Sequence, residues 1–583
     1  MIASYLLSRT LLPTMAYYLL ETKPAQGAVV ARPGRLAWFH PWFEQKFKKL
    51  QNAYSERLTW VLDNSTLFTC GLLAFVLLSL AILWPALGSN FFPKVDAGQI
   101  LLHYSAHSGT RIEETAKLAA KVNQVIRQVI PADELDNTVD NIGLPISGVN
   151  LTYNSSATNG ACDTDTFIAL KPNHHPVEDY IHQLRRALNV AFPDVSFAFL
   201  PADIVGKVLN FGQPSDVDIQ ITGLKSAENN QYAKQLLQRV KHVPGVVDAR
   251  IRESNHYPAI FVKTDRTRAK ELGFTQQDIG NNLLISLSGA FQTQPNFWID
   301  PSNNMSYQIT TQTPQYSVDT LQALLNTPIT NTTNSTPPQI LGAMATIERT
   351  GVPLVVSHYN VQPVINLFIG VDGRDLGSVG RDINRILQET KKDLPDGSQL
   401  FVRGQLATQQ LAFTTLYLGL IFAIVLVYMI IVINFQSWVD PFIIITALPA
   451  AIAGIAWMLF LTHTTLSVPA LTGAIMCMGV ATSNSILMVS FARQNLLDGH
   501  DARYSALEAG VTRLRPVLMT ALAMIIGMLP MALGLGDGGE QNAPLGRAVI
   551  GGLSFATIAT LFFVPTVFCI IHSRLHPQGS QHA

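Results

Sequence analysis

Charge is what this sequence has least of. Asp, Glu, Lys and Arg make up 14% of its 583 residues, against roughly 25% in ordinary soluble domains. Acidic and basic residues also cancel to a net charge of zero, which removes the electrostatic footing for a nucleic-acid partner. Cysteine is scarce as well: Cys70, Cys162, Cys477 and Cys569 lie far apart, three of them in apolar runs. Neither a CxxC spacing nor a pairing partner is present, so a zinc site and a disulfide framework are both excluded. Only Cys162 is expected to face water. No GxxxxGK[ST] stretch occurs, so energy from ATP through a phosphate-binding loop is not in view, and no cofactor is expected.

What the sequence has instead is apolar length, 48% of its residues. Six runs are long enough to cross about 30 Å of hydrocarbon as helices. One is early, Leu67–Ala86. The other five crowd the end: Leu411–Ile433, Pro441–Leu461, Ala470–Ala492, Pro516–Leu535 and Arg547–Ile571. None carries an ionisable side chain in its interior. Basic residues cluster before the first run (Lys46, Lys48, Lys49, Arg57) and between the fourth and fifth of the six runs (Arg493, Arg503, Arg513, Arg515). Alternate crossings put both clusters on one side, the cytoplasmic one by the positive-inside rule, and the large polar segment on the other. The Asn434–Asp440 link, without Lys or Arg, says nothing about orientation. Small residues four apart (Ala447/Ala451, Ala450/Gly454, Ala523/Gly527) suit close helix packing. Residues 1–20 read as the end of a membrane helix, broken by Arg9 and Pro13, rather than as a secretory signal.

Within 98–408 a strand, an amphipathic helix, a Pro or Gly turn and a strand recur. Strands are expected at Ile100–Ser105, Thr166–Leu170, Val195–Phe199, Asp216–Thr222, Val247–Ile251, Pro363–Val371 and Gln399–Arg403. Units of this kind stack as split βαβ, ferredoxin-like subdomains. The stretch 256–351 breaks the pattern and reads as an insertion, with a short helix at Asp265–Leu272 and a helix start at Thr275–Gln277. Phe197, Phe199 and Phe211 read as core strand residues.

Several motifs carry a family resemblance. Leu514-Arg-Pro-Val-Leu-Met-Thr-Ala-Leu-Ala with Gly527-Met-Leu-Pro, Gly539-Glu-Gln-Asn, Val549-Ile-Gly-Gly-Leu-Ser and Phe562-Phe-Val-Pro-Thr resemble the last helices of resistance-nodulation-division (RND) efflux transporters. Gly479-Val-Ala-Thr-Ser-Asn-Ser-Ile-Leu-Met-Val resembles the tenth helix, Phe92-Pro-Lys-Val-Asp-Ala-Gly-Gln the segment after the seventh, and Ser4-Tyr-Leu-Leu-Ser-Arg-Thr-Leu-Leu-Pro the end of the sixth. The resemblance is to the carboxy-terminal half of the family's hydrophobe/amphiphile branch. It implies an α-helical membrane bundle of six spans plus a partial N-terminal helix, with a large α+β periplasmic domain of ferredoxin-like porter subdomains and an inserted docking subdomain. The divisions would be a helix remnant at 1–20, an amphipathic linker at 21–66 and family helix 7 at 67–87. Porter subdomain 1 would cover 88–209, porter subdomain 2 would cover 210–255 and 352–408, and the docking subdomain 256–351. Helices 8–12 at 409–573 and a tail at 574–583 would complete it.

By that resemblance the chain is the inner-membrane part of a proton-driven exporter of amphiphilic organic compounds, a secondary transporter and not an enzyme. Its implied partners are a periplasmic adaptor, an outer-membrane channel, membrane lipid and copies of itself in a trimer. The family's paired aspartates belong to a helix outside the matched half, and its tenth-helix lysine aligns with Ser483. Ser483, Asn484 and Thr520 are therefore expected to line a proton relay completed by carboxylates of a separate N-terminal half. A helix-packing role for the same residues, and a truncated remnant with only a scaffold role for the chain, are the rivals. The loop 143–161, with Gly143, Leu144, Leu151, Tyr153 and Gly160, is the implied substrate gate. Heavy-metal export is the lesser alternative, since the large domain has only two methionines, Met305 and Met344, far apart, with Cys162 and the His174–His175 pair besides. No resident metal site is expected.

Overall fold

The computed structural model describes residues 2–19, 39–144, 158–210, 212–253, 256–331, 336–536 and 538–575. The first ferredoxin-like unit is β1 (Gln99–Ser105), a helix (Ile112–Val129), β2 (Leu135–Ile142), β3 (Asp163–Leu170), a helix (Val177–Ala191) and β4 (Ser196–Leu200). Its antiparallel sheet runs β2-β3-β1-β4. Both helices lay apolar residues at three- and four-residue steps on it, Ala119, Val122 and Ile126 from one and Tyr180, Leu184 and Leu188 from the other, over Ile100, Leu102, Tyr104 and Ile168. β2 was not expected, because its sequence LDNTVDNI is that of a half-exposed edge.

The second unit opens with β5 (Val217–Thr222), a helix (Ser226–Val240) and β6 (Val246–Ile251). The chain then leaves for the insertion: β7 (Tyr257–Thr264), β8 (Asn296–Ile299), β9 (Ser306–Ile309), β10 (Pro328–Ile329), β11 (Gln339–Ile340) and β12 (Ala345–Val352). It returns through β13 (Ser357–Tyr359), β14 (Gln362–Val371), a helix (Leu376–Thr390) and β15 (Gln399–Gly404). β14 pairs with both β6 and β5, and β5 with β15, so the strand order of the first unit is repeated. The insertion enters where a hairpin would join the second and third strands. β7 and β12 pair along their whole length and close it. Its main helix, Gln276–Ser288, starts at the expected place, with Thr275 and Asp278 forming a reciprocal capping box.

The two units are clamped edge to edge. Asp248 on β6 sits at φ +54°, beside an irregularity in the β6–β14 ladder, which turns its carboxylate toward β4. There it accepts from the Phe199 backbone N–H at 3.0 Å and from Arg185 Nη2 at 3.0 Å. Arg185 Nη1 reaches Asp372 Oδ2 at 2.6 Å, and the guanidinium lies over the Phe199 ring. Burial opposes the charge on Arg185, but Asp248 and Asp372 outweigh it and hold its pKa above the ordinary value.

Six helices are long and apolar enough to span a membrane: Ser65–Ala86, Gln405–Phe435, Val439–Leu461, Val468–Leu497, Ala502–Ala532 and Ala543–Leu575, here spans one to six. Third and sixth cross closely, since a Cβ on Gly454 would meet the Gly551 carbonyl oxygen at 2.5 Å. The Ala450/Gly454 pair thus packs as expected. Gly527 does not, as nothing lies within 4 Å of its Cβ position. Helix Ile2–Leu19 runs unbroken through Pro13. Cys162, expected to face water, is buried, and burial pushes its thiol up to about 11.

Sheet and bundle join without slack. β15 ends at Gly404 (φ +83°), where a Cβ would meet the Asp216 carbonyl oxygen at 2.6 Å, and span two begins at the next residue. Below span one, residues 88–92 thread between the second unit and the start of span four. Ser89 N–H donates to Asp375 and Val468 N–H to the Phe91 carbonyl.

Arg185→Met removes the cation that two poorly exposed carboxylates share. It is expected to destabilise the docking of the units by about 3 kcal/mol, read as faster hydrogen exchange across β4 and β6 with the bundle amides unchanged. Unaltered exchange at β4 would show that the clamp is not what joins them.

Candidate functional site

One pair of facing polar side chains joins spans four and five. Asn484 is buried on span four, and Thr520 Oγ1 on span five lies 3.0 Å from its Oδ1 and 3.0 Å from the Val517 carbonyl, so the single hydroxyl proton serves either. Two helical turns away on the same seam, Arg513 places its guanidinium 5.0 Å from the centre of the Phe491 ring. The Arg513 Nε is buried and meets no acceptor among the described residues. Ser483 does not join the pair. It lies on an exposed line of span four with Met476, Gly479 and Leu487. Nothing stands within 4 Å of the Cβ positions of Gly479 or Gly527, so the seam opens on an uncovered face of small residues.

Arg513 was missed because an apolar run beginning at Pro516 left it in a connection. The helix begins at Ala502, more than two turns earlier. Asp440, read as part of an uninformative link, is buried in the first turn of span three. Its oxygens lie 3.0 Å from His572 Nε2 and 3.3 Å from Arg493 Nη1. Arg493 also donates to the Phe435 carbonyl, tying together the ends of spans two, three, four and six.

A second candidate lies between the units, a cavity of about 420 Å³ whose charged lining includes Lys94, Arg185, Asp216, Asp248, Arg250 and Asp372. Phe199 is its aromatic member. Burial raises the Asp216 carboxyl. Burial also works against the Lys94 charge, yet Glu178, Asp216 and Asp372 hold its pKa up. Behind the cavity the unit faces stay polar: His103 pairs with Asp165 at 2.7 Å across β1 and β3, and Gln220 bridges Asp218 and Asn366. Asp218 Oδ1 has no donor among the described residues, and burial pushes this carboxyl up to about 7.

Of the gate loop, Leu151 and Tyr153 lie outside the described residues. Gly143 (φ +75°) donates its N–H to the Asp163 carbonyl, and Leu144 is exposed. At the other end Gly160 packs on Leu354, and Asn159 Nδ2 donates to the Arg252 carbonyl. Asn159 and Gly160 thus lie against the second unit. Phe197 and Phe199 take the core places expected of them, and Phe211 is not among the described residues. Met344 is buried, Met305 exposed, and no group of three or more His, Cys, Asp or Glu side chains that could hold a metal occurs among the described residues.

Six helices long and apolar enough to cross a membrane, joined to a duplicated sheet-and-helix domain, describe a multi-span protein of the inner membrane. The chain belongs to the AcrB/AcrD/AcrF family, whose model matches residues 1–572; these RND efflux proteins are secondary active transporters and not enzymes. It is 26% identical over 546 residues to the cation efflux system protein CzcA of Alcaligenes sp. (strain CT14). It is 25% identical over 545 residues to the cobalt-zinc-cadmium resistance protein CzcA of Cupriavidus metallidurans. Each match takes in 91% of this chain and 50% of the relative, so the chain spans about half the length of these relatives. Its fold is that of a heavy metal efflux pump seen in two crystal forms, with TM-scores of 0.78 and 0.76, 24% identity, and 91% of this chain against 53% and 52% of the other.

Asp218 yields a pH prediction. A carboxyl whose folded pKa is raised binds its proton more tightly folded than unfolded, so its contribution to stability falls as pH rises from about 4 to about 7. Asp218→Asn should flatten the fall in thermal stability of the large domain between pH 5 and pH 8. An equal slope in the variant would assign the pH dependence elsewhere.

Proposed function

We propose that the chain is the inner-membrane transporter component of an RND-type efflux system, driven by an ion gradient, and that its cargo is a divalent metal cation. The observation that carries the transporter reading is the seam itself. Arg513 holds a buried N–H without an acceptor among the described residues, Asn484 and Thr520 supply an amide and a hydroxyl, and the adjoining face is uncovered and lined with glycine. A carboxylate on a further helix laid against the glycine-lined face would meet the Asn484 amide and the Thr520 hydroxyl, and its protonation would switch the charge balance there. The described part of the seam contains no carboxylate of its own. The reading therefore includes a second six-span half, on another polypeptide or in a longer form of this one, together with a periplasmic adaptor, an outer-membrane channel and trimeric assembly. The large domain lies on the periplasmic side, as the basic clusters at the opposite end favour.

For cargo, the amphiphilic compounds first expected have less support than metal cations. The relatives are by name cation-efflux and metal-resistance proteins, and the cavity between the units offers carboxylates with Phe199 as its aromatic surface. Carboxylates and water suit transient handling of a hydrated divalent ion without a resident site.

With the completing half in inverted membrane vesicles, a pH gradient should drive zinc, cobalt or cadmium uptake. Thr520→Ala and Arg513→Gln should each slow it roughly tenfold, about what one lost charge-assisted hydrogen bond is worth, at unchanged membrane abundance. Undiminished uptake in both variants would remove the seam from coupling. Movement of an amphiphilic dye but no metal would restore the amphiphile reading, and failure of the halves to associate would favour the scaffold one.

A further inference from the structure

The helix Phe39–Asp63 lies across one end of the bundle and turns at Asn64 directly into span one. Its inner face is packed: Tyr54, Leu58, Val61 and Leu62 are buried, and Tyr54 donates its hydroxyl to the Leu561 carbonyl at 2.7 Å. Gln51 donates to the Val511 carbonyl, and Arg515 and Arg503 of span five hold Glu44 and Asp63. The helix is thus fixed in rotation, with one face toward spans five and six.

Beside that face runs a second line, Trp42, Lys46, Lys49, Ala53, Arg57 and Trp60. The steps of four, three, four, four and three residues place all six on one stripe of an α-helix. Both tryptophans and all three cations are exposed, Trp60 at 60% and Trp42 at 49%. Lys46, Lys49 and Arg57 have no carboxylate partner among the described residues, while two of the helix's three acids are already engaged by span five. Because Trp60 stands only a turn before span one begins, the stripe is held at the level where a bilayer's headgroups lie. Indole rings favour that level, and each cation there gains from anionic lipid.

We propose that this stripe is a binding surface for anionic phospholipid headgroups, with the two tryptophans fixing its depth and Lys46, Lys49 and Arg57 selecting for negative charge. Charge complementarity favours this occupant. The stripe itself carries three cations and no acid, whereas the neighbouring line of Gln45, Lys48, Asn52, Glu56 and Thr59 pairs one cation with one acid and suits water. The proposal is independent of the cargo.

The test uses the full chain in neutral detergent, stripped of lipid and titrated with phosphatidylglycerol or phosphatidylcholine, with bound lipid counted by native mass spectrometry. The chain should prefer phosphatidylglycerol, and the triple variant K46Q/K49Q/R57Q should lose that preference by roughly tenfold to a hundredfold at an unchanged melting temperature. Neutralising three cations of the large domain, K117Q/K225Q/K263Q, should leave it intact. Trp60→Leu should weaken both lipids alike. No preference in the unaltered chain, or its retention in the first triple variant, would overturn the proposal. So would loss of a co-purifying polypeptide in that variant with lipid counts unchanged, which would make the stripe a protein contact.

Discussion

The close backbone contact at Gly404 is the constraint on which the rest of the architecture turns. Its positive φ and the Asp216 carbonyl pressed against its Cα leave no room for a side chain, and a rigid strand becomes a rigid span in one residue. On the far side of the second unit, residues 88–92 are hydrogen-bonded both to the helix beginning at Leu376 and to the start of span four. A tilt of spans two or four therefore cannot be absorbed in a loop. It passes to the sheet of the second unit, and through Arg185 and Asp248 to the first.

The two candidate regions sit at opposite ends of that rigid path. The seam of Asn484, Thr520 and Arg513 lies in spans four and five, and the carboxylate-lined cavity lies where β4 abuts β6. The physical chemistry differs between them. On spans four and five a buried guanidinium N–H meets no acceptor among the described residues, whereas the cavity is lined by seven carboxylates against three cations. Lys94 and Arg185 both draw on Asp372, and the remaining carboxylates leave the cavity acidic.

Much of this was legible in the sequence because hydrophobic periodicity reports burial directly. The amphipathic helices, the central strands and the six spans came from it, as did the start of the helix at Thr275, where capping chemistry marks the boundary. What escaped has physical reasons. β2 is a polar edge with little to bury. Hydropathy measures the length of lipid contact rather than of helix, so Arg513 and Asp440 fell into connections although both lie within helices. The turn of Asp248 into positive φ, on which the joining of the units rests, has no glycine to announce it. Family motifs singled out Ser483, Asn484 and Thr520, of which the fold brings the last two together and leaves Ser483 apart, and they favoured an amphiphilic cargo that the chain's relatives do not, since scarcity of methionine and cysteine says little about ions that accept oxygen ligands.

The pairing of β7 with β12 has a further meaning. Because the insertion leaves and re-enters as neighbouring strands in full register, its two ends stand side by side, and its small core of Phe274, Ile279, Ile329 and Leu341 is its own. It is a graft on the second unit. Such a module can be exchanged or lengthened over evolutionary time without disturbing either sheet, so the end of the molecule that carries it is free to diversify while the machinery beneath stays fixed.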